Sequence, residues 1–461
     1  VKGRYGTDYV KHPGRVKMPL IRANREEGRS AEPVWREATW EEALDYVAAE
    51  LVRIKQQYGS EAVGSYASAK ATNEDTYIFQ KFIRALIGTN NVDHCARLCH
   101  AGSVAGLQLA IGSSAMSNSI AEMEDLDVFI ITGSNTAETH PVIANYLKRA
   151  VRVTGAKLSV ADPRQVEMVD FSHLWLQQNP GTDVALFQAM AHVVVKEGLY
   201  DEDFIAQRTE GFQEYIESLE SFTPQWAEEV TGVPAAKISE AARLYATAER
   251  AAIYWGMGIS QSTHGTDNTI SLTNLALMCG HVGKPGTGLN PLRGQNNVQG
   301  CSDSGGLPNV YTAYQLVSSP AVKEKFETAW GTTLNDQPGL TATEMIDGAL
   351  RGAVRGLFVV GENPMISEPN QNHTRKALEQ AEFLVCQDIF INETGEMADV
   401  ILPATSFAEK DGTFTNTDRR VQRCRTAVEP VGQSRPDWWI TSELGRRVEK
   451  LLGVELSAGF D

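Results

Sequence analysis

The chain has 461 residues, 42% of them hydrophobic, which is enough to bury a large core and, by length, favours about two to four domains. Its net charge of −16 argues against general binding to nucleic acid or acidic membranes, and no apolar run reaches the roughly 18 residues of a membrane span. Six irregularly spaced cysteines do not make a disulfide framework, so we predict a reducing compartment, the cytoplasm.

Apolar, β-branched runs alternate with helical patterns through the middle of the chain. This alternation is typical of parallel sheets whose strands are joined by crossover helices. We predict that Thr182 caps one helix at its start and that Gly198 marks its end. The predicted elements are strands at residues 126–133, 156–163 and 251–258, and helices at residues 141–153, 182–199 and 268–283.

A pattern of strand, Gly-x-Asn, helix, strand and Asp occurs twice. Asn135 precedes Asp162 by 27 positions and Asn363 precedes Asp388 by 25, which fits a crossover unit of roughly 30 residues. A glycine at the end of a strand lets the backbone approach a ligand, and an Asp after the next strand is placed to bind ribose hydroxyls or guanine. Gly-Asn can also simply turn the chain, but the repetition favours two nucleotide sites.

Cys99 and His100 stand side by side, and the residues alone leave three interpretations open: a nucleophile with its base, part of a metal site, or two core residues. Cys95 lies four positions earlier, yet no second Cys pair completes a zinc site, so we predict a structural role for it. Neighbouring residues in a helical turn point about 100° apart. His100 is therefore poorly placed to deprotonate Cys99 but can face the same substrate. The small side chains of residues 101–106 leave room for a large group beside the sulfur.

Residues 289–306 form a Gly-rich run that collects amide and guanidinium donors. Such a loop suits a large polar ligand, and the rigid fork of Arg293 can grip a carboxylate at two points. The alternative is an ordinary structural or surface arginine. The polar side chains of the run include Arg293, Gln295, Asn296, Asn297 and Gln299.

Three runs of this chain resemble motifs of the molybdenum or tungsten bis-pterin oxidoreductases, and they occur in the expected order. The runs are RLCHAGSVAG, WGMGISQ and NPLRGQNNVQG. The similarity covers essentially the whole chain. Cys followed by His, together with Arg293, resembles the cysteine-containing catalytic (alpha) subunits of formate dehydrogenases and separates them from nitrate reductases. The resemblance implies an α/β fold like those of DMSO reductase and formate dehydrogenase, with two doubly wound domains in a pseudo-twofold relation.

The same resemblance implies an activity, the oxidation of formate to CO2 or the reverse, at a Mo or W centre held by two molybdopterin guanine dinucleotides. Electrons would leave through a 4Fe–4S cluster to iron–sulfur or flavoprotein partner subunits, in some cases linked to NAD. No nucleic-acid partner is expected. The alternatives are a nitrate reductase or another bis-pterin oxidoreductase and, in a different class, a metal-free structural subunit of a respiratory complex with the same fold.

The resemblance also implies residue roles. Cys99 would bind the metal as a thiolate, His100 would receive the proton and Arg293 would orient formate. Lys2 matches a lysine that lies between the cluster and one pterin. The positions assigned to the two pterin dinucleotides are Gly133, Asn135, Asp162, Arg164, Gly181, Asp183, Met257, Gly258, Gln261, Gln295, Gly361, Asn363, Gln387 and Asp388.

The chain departs from the family at both ends. The four cysteines of the cluster would precede Val1, and nothing after about Asp437 is long enough for the family's C-terminal β-barrel domain. We therefore expect a fragment of a longer subunit that lacks most of the iron–sulfur domain and binds cofactor poorly. The predicted regions are a remnant of the cluster domain (1–19), one α/β domain (20–94 plus 296–436), an inserted α/β domain with the metal ligand (95–295), and the start of a C-terminal region (437–461).

Overall fold

The computed structural model describes residues 2–457 and 459–460, and two β-sheets organise it. By its contacts the chain divides into two compact units. Unit 1 comprises the described residues of Val1–Leu98, Gln295–Asn416 and Val421–Asp461, and unit 2 comprises Cys99–Gly294 and Thr417–Arg420. Each of the two sheets is mainly parallel and covered by helices, as the predicted α/β fold requires.

Unit 2 contains a five-stranded sheet in which all strands run parallel. Its central strands are buried on both faces because separate apolar clusters pack on either side. The winding direction reverses between Val128–Thr132 and Ala251–Trp255, and ligands of doubly wound sheets bind at the carboxyl ends of the strands at such a reversal. Across the sheet the strands are Leu174–Leu176, Lys157–Ala161, Val128–Thr132, Ala251–Trp255 and Gly288–Pro291.

The three helices predicted within unit 2 are present, with shifted ends. Helix Asp183–Lys196 begins after Thr182, but the Thr182 hydroxyl donates to the carbonyl of Asn179 at 2.7 Å and does not cap the helix. The predicted helix at 268–283 begins earlier and ends earlier, at Gly265–Met278. The other helices are Ala101–Ile111, Thr136–Thr139, Pro141–Arg149 (continued by the π-turn Ala150–Thr154), Glu202–Arg208, Phe212–Ser218, Pro224–Thr231, Ala235–Ala246 and Met257–Ser260.

Unit 1 contains a seven-stranded sheet whose first two strands pair antiparallel and whose remaining strands run parallel to one another. Here the winding direction reverses between Gly356–Val360 and Val63–Tyr66, so unit 1 has its own expected ligand crevice. Across the sheet the strands are Trp35–Glu37, Leu20–Arg22, Val400–Pro403, Phe383–Asp388, Gly356–Val360, Val63–Tyr66 and Val92–Asp93.

Two small hairpins and a set of helices complete unit 1. The hairpins pair Val310–Tyr311 with Gln315–Leu316 and Gly412–Thr415 with Val421–Cys424. No helix in the described part of the chain has both the length and the hydropathy needed to cross a membrane. The helices are Lys2–Tyr5, Trp40–Tyr58, Asn73–Phe82, Ala96–Cys99 (which ends at the first residue of unit 2), Val298–Asp303, Pro320–Trp330, Ala342–Leu350, Pro364–Ser367, Gln371–Gln380 and Asp437–Leu452.

The last helix, Asp437–Leu452, is part of unit 1. Its apolar face packs into the core of unit 1 through Ile440, Leu444 and Val448. Its first residue accepts a hydrogen bond from the buried Lys410 ammonium, which also lies 2.6 Å from Asp75. Separating a buried cation from its two carboxylates costs free energy, so this contact fixes the start of the helix.

Candidate active site

The Cys99 thiol is buried in unit 2, where two other motifs approach it. Its sulfur lies 3.5 Å from the Sδ atom of Met257. A Cβ atom built on Gly294 would lie 3.8 Å from the same sulfur, in ordinary van der Waals contact. The three similar runs therefore meet at one sulfur atom.

The glycines that follow Cys99 allow two helices to approach each other closely. A Cβ atom on Gly102 would lie 2.9 Å from the carbonyl oxygen of Ser260, and one on Gly106 would lie 2.7 Å from the Cβ of Thr269. Small residues here allow helix Ala101–Ile111 to pack closely against helix Gly265–Met278. They serve the contact between two helices, and not only space beside the sulfur.

His100 is fully buried and both of its ring nitrogens are hydrogen-bonded. Nε2 lies 2.9 Å from the carbonyl oxygen of Leu292, and Nδ1 lies 3.0 Å from the Ser260 hydroxyl. Burial, together with the nearby positive charge of Arg293, lowers the pKa of His100 to about 3. In this arrangement the ring is neutral, so it can accept a proton only after its contact with Ser260 rearranges.

Arg293 is held on several sides within unit 2. Its Nη2 donates to the carbonyl oxygen of Ser114 at 2.5 Å, and its backbone N–H donates to the Thr417 hydroxyl at 3.2 Å. Its own carbonyl oxygen accepts from Nε2 of His140 at 2.6 Å. The side chain is 6% exposed, and its charge reaches His100. The predicted catalytic residues Cys99, His100 and Arg293 thus lie in one region of unit 2.

The switch point of unit 2 holds the first copy of the repeated pattern. Gly133 follows strand Val128–Thr132 with φ of 54°, and a Cβ atom there would lie 2.7 Å from the backbone nitrogen of Ile259. A Cβ atom on Gly258 would in turn lie 2.7 Å from the Cα of Gly133. These glycines let two backbone segments approach each other closely. The crevice therefore has its shape before any ligand enters it.

Polar groups surround this switch point. The buried Oδ1 of Asn135 has no hydrogen-bond partner, whereas Asp162 Oδ1 accepts from the backbone N–H of Arg164 at 2.9 Å. Burial raises the pKa of Asp162 and of Asp183. The exposed residues among the predicted positions in this unit are Arg164, Gly181, Met257, Gly258 and Gln261.

Sequence reasoning missed Gln178, which follows strand Leu174–Leu176 at the same edge of the sheet. Its Nε2 donates to Asp183 at 3.1 Å, and its buried Oε1 has no partner. Its position just beyond a parallel strand was a signal that could have identified it.

The switch point of unit 1 holds the second copy. Gly361 also has φ of 54°, and a Cβ atom there would meet the Ser68 hydroxyl oxygen at 2.7 Å. Asn363 is already engaged, since its Nδ2 donates to Glu393 at 2.6 Å and its Oδ1 accepts from the Thr394 hydroxyl at 2.8 Å. Asp388 accepts from the backbone N–H of Ile389 at 2.6 Å.

Two carboxyl groups near this second switch point have raised pKa values. Removal from water raises the pKa of Asp388 to about 6, and the charge of Asp437 adds to the rise. Burial also raises the pKa of Glu362 to about 7, against the opposing charge of Lys70. Glu362 was not predicted. Perturbed carboxyl groups at the carboxyl edge of a sheet are typical of functional sites.

The three remaining predicted positions are Gln387, Gln295 and Lys2. Gln387 is fully buried; its Nε2 donates to Asp437 at 2.7 Å, whereas its buried Oε1 has no partner. The buried Oε1 of Gln295 has no partner. Lys2 lies in the helical turn Lys2–Tyr5, and its side chain is outside the described part of the structure.

The family model named Molybdopterin oxidoreductase matches residues 15–447. The chain belongs to this family. It is 47% identical over 448 residues to the F420-dependent formate dehydrogenase 1 subunit alpha of Methanococcus maripaludis, covering 97% of this chain and 64% of that protein. It is 45% identical over 454 residues to formate dehydrogenase H of Escherichia coli, covering 97% and 62%.

The chain therefore spans slightly under two thirds of the length of these relatives. Among solved structures, the acetylene hydratase of Pelobacter acetylenicus superposes with a TM-score of 0.79 at 24% identity, over 96% of this chain and 63% of that one. At this identity the likeness shows the fold. The predicted family and fold are confirmed.

The residues present fit a molybdopterin cofactor. Pterin and guanine rings carry many N–H donors, and the buried oxygens of Asn135, Gln178 and Gln295 are acceptors without a partner. Within the described residues no three His, Cys, Asp or Glu side chains gather into a metal site.

Proposed function

We propose that the chain is the core of a formate dehydrogenase catalytic subunit, which oxidises formate to CO2 or runs the reverse reaction. The observation that carries this proposal is the convergence of Cys99, His100 and Arg293 in unit 2. The two formate dehydrogenases at 47% and 45% identity support it.

The proposed cofactor is a Mo or W ion with two molybdopterin guanine dinucleotides, which supplies a two-electron oxidant when bound. Cys99 would be the protein ligand of the metal, and the switch points at Gly133 and Gly361 would each hold one dinucleotide. Electrons would leave through a 4Fe–4S cluster of the full-length protein, past Lys2, to electron-transfer subunits. The six free cysteines support the cytoplasm as the compartment.

Formate offers one carboxylate to hold and one C–H bond to break. We assign the carboxylate to Arg293, because a buried guanidinium is a rigid, permanently charged donor and the Ser114 carbonyl fixes its direction at 2.5 Å. Holding formate in one orientation supplies much of the catalysis available to so small a substrate.

Oxidation of formate yields CO2, one proton and two electrons, and we assign the proton to His100. The ring must first release a contact, because both of its nitrogens are bound to protein groups. Nε2 donates to a carbonyl oxygen that has no proton to give in return, so proton uptake would occur at Nδ1 as the Ser260 hydroxyl turns away.

The first test compares Cys99→Ala with Cys95→Ala in the full-length protein purified without air. Cys95 is a matched control because it lies four positions earlier and, like Cys99, is not part of a disulfide. We expect Cys99→Ala to lose formate-dependent reduction of an artificial dye and Cys95→Ala to keep it. Turnover by Cys99→Ala would exclude the ligand role.

A second test concerns the substrate. Arg293→Lys should raise KM for formate about 10- to 100-fold, because a bidentate, charge-assisted contact is lost. Arg419→Lys is the matched control, since Arg419 also donates to a backbone carbonyl in unit 2, that of Ser117 at 3.0 Å. Wild-type activity with nitrate instead of formate would support a nitrate reductase, and a full-length protein without Mo or W would support the structural-subunit alternative.

A further inference from the structure

A continuous row of hydrogen-bonded side chains runs through the interior of unit 2 and ends at His100. Nε1 of Trp255 donates to Ser103 Oγ at 2.7 Å, and the Ser103 and Ser260 hydroxyls are hydrogen-bonded to each other. Ser260 Oγ lies 3.0 Å from His100 Nδ1, and His100 Nε2 lies 2.9 Å from the carbonyl oxygen of Leu292. All four side chains of the row are buried.

The two ends of this row fix the direction of every hydrogen bond in it. An indole N–H can only donate, so Ser103 Oγ accepts from Trp255. At the other end a carbonyl oxygen can only accept, so His100 Nε2 carries the proton and Nδ1 is the acceptor. Ser260 therefore accepts from Ser103 and donates to Nδ1.

We propose that Ser103 and Ser260 are positioning residues that hold His100 in a single neutral tautomer, with Nε2–H directed at the Leu292 carbonyl. This inference rests on the proposed function, because it takes His100 to be part of the site that oxidises formate. The opposite tautomer would place an unprotonated Nε2 against the Leu292 carbonyl oxygen, so that two acceptors face each other and their hydrogen bond is lost.

The backbone around Ser260 is fixed by close packing. A Cβ atom on Gly265 would lie 2.2 Å from the Ser260 carbonyl oxygen, and one on Gly102 would lie 2.9 Å from it. The peptide that carries the Ser260 hydroxyl is therefore held between two helices. Because Cys99 precedes His100 in the chain, a fixed imidazole also fixes the peptide that presents the Cys99 sulfur.

The inference is tested by hydrogen–deuterium exchange at C2 of the His100 ring, read by mass spectrometry on the full-length holoenzyme. This exchange slows when a ring is buried and held by hydrogen bonds, and it does not depend on turnover. We expect Ser260→Ala and Ser103→Ala to accelerate it at least about fivefold, the factor that corresponds to loss of one hydrogen bond. Ser271→Ala is the matched control, since Ser271 is also a buried serine of unit 2 but lies outside the row.

Kinetic measurements distinguish a positioning role of Ser260 from a general disturbance of the fold. Ser260→Ala should lower kcat about fivefold with KM for formate within about twofold, and it should have no further effect in a His100→Gln background. Ser260→Cys replaces the hydroxyl by a somewhat larger, weakly donating thiol and should change the exchange rate in the same direction. This variant replaces Ser260→Ala in the test if the alanine variant does not fold.

Unchanged C2 exchange in both serine variants, or equal losses of kcat with and without His100, would overturn the inference. Its failure is distinguishable from failure of the proposed function. If the wild-type holoenzyme does not oxidise formate, the proposed function fails, while C2 exchange still decides whether the row holds the ring.

Discussion

The two copies of the repeated crossover pattern share a backbone but differ in their side-chain contacts. Gly133 and Gly361 each follow a central strand, and both have φ of 54°. Each lies at the point where the winding of its sheet reverses. A short helix follows each copy, Thr136–Thr139 in unit 2 and Pro364–Ser367 in unit 1.

The asparagines of the two copies differ in their hydrogen bonding. Asn135 Oδ1 is buried without a partner, whereas Asn363 is bound to Glu393 and Thr394. A ligand donor entering unit 2 would satisfy an orphaned acceptor, while a ligand in unit 1 must compete with existing hydrogen bonds. A sequence repeat therefore predicts the common backbone and not the readiness of each copy for its ligand.

The largest expected difference between the copies is in their glycines. Gly133→Ala should lower the free energy of unfolding by about 3–5 kcal/mol, because its Cβ meets backbone atoms in addition to the strain of positive φ. Gly361→Ala should cost about 2 kcal/mol, since its Cβ meets a serine side chain that can move. Denaturant unfolding measures both.

The control for this pair is Gly155→Ala. Gly155 has φ of 79° and no atom within 4 Å of its Cβ position, so only backbone strain of about 1–2 kcal/mol is expected. Equal losses in all three variants would contradict the structural difference between the two copies.

The next difference is in the pH dependence of stability. The folded-state pKa of Asp388, about 6, lies above the ordinary value of 3.8, so its contribution to stability is present at low pH and is lost as pH rises from about 4 to about 6. Asp388→Asn should remove this slope, worth up to about 3 kcal/mol. Unfolding of wild type and variant at several pH values measures it.

Asp162→Asn provides the counterpart in unit 2. Burial raises the pKa of Asp162 as well, so the slope has the same sign. We expect a smaller change than for Asp388→Asn. A larger change at Asp162 would reverse the comparison.

The smallest expected difference comes from the asparagines. Without cofactor, Asn363→Ala should lower the free energy of unfolding by about 1–2 kcal/mol because two hydrogen bonds are lost, while Asn135→Ala should change it by less than about 0.5 kcal/mol. In the holoenzyme Asn135→Ala should reduce the retained guanine nucleotide. A costly Asn135→Ala in the cofactor-free protein would show that its amide is bound internally.

The sequence predicts the elements that local patterns determine. Apolar runs locate strands such as Val128–Thr132, and the repeat locates Gly133 and Gly361 at strand ends. The switch points themselves depend on the order of strands in a sheet, which no local pattern encodes. Thr182 stands at the N-cap position as predicted, but its backbone is not extended (φ −109°, ψ 18°) and its hydroxyl accepts no hydrogen bond from the helix.

The candidate site was predictable from its motifs but not in its contacts. His100 pairs with Ser260 and Leu292, which lie 160 and 192 positions away, so no spacing in the sequence reveals them. Gln178 and Glu362 were missed because a single polar residue beyond a strand is common and its pKa depends on the tertiary environment.

We propose that each switch point holds one pterin dinucleotide and that Cys99 binds the metal. The most direct measurement is the Mo, W and guanine-nucleotide content of the full-length protein purified without air. We predict one metal ion and two guanine nucleotides per chain, with the metal lost in Cys99→Ala. A correctly folded protein that contains neither metal nor guanine nucleotide would contradict the account.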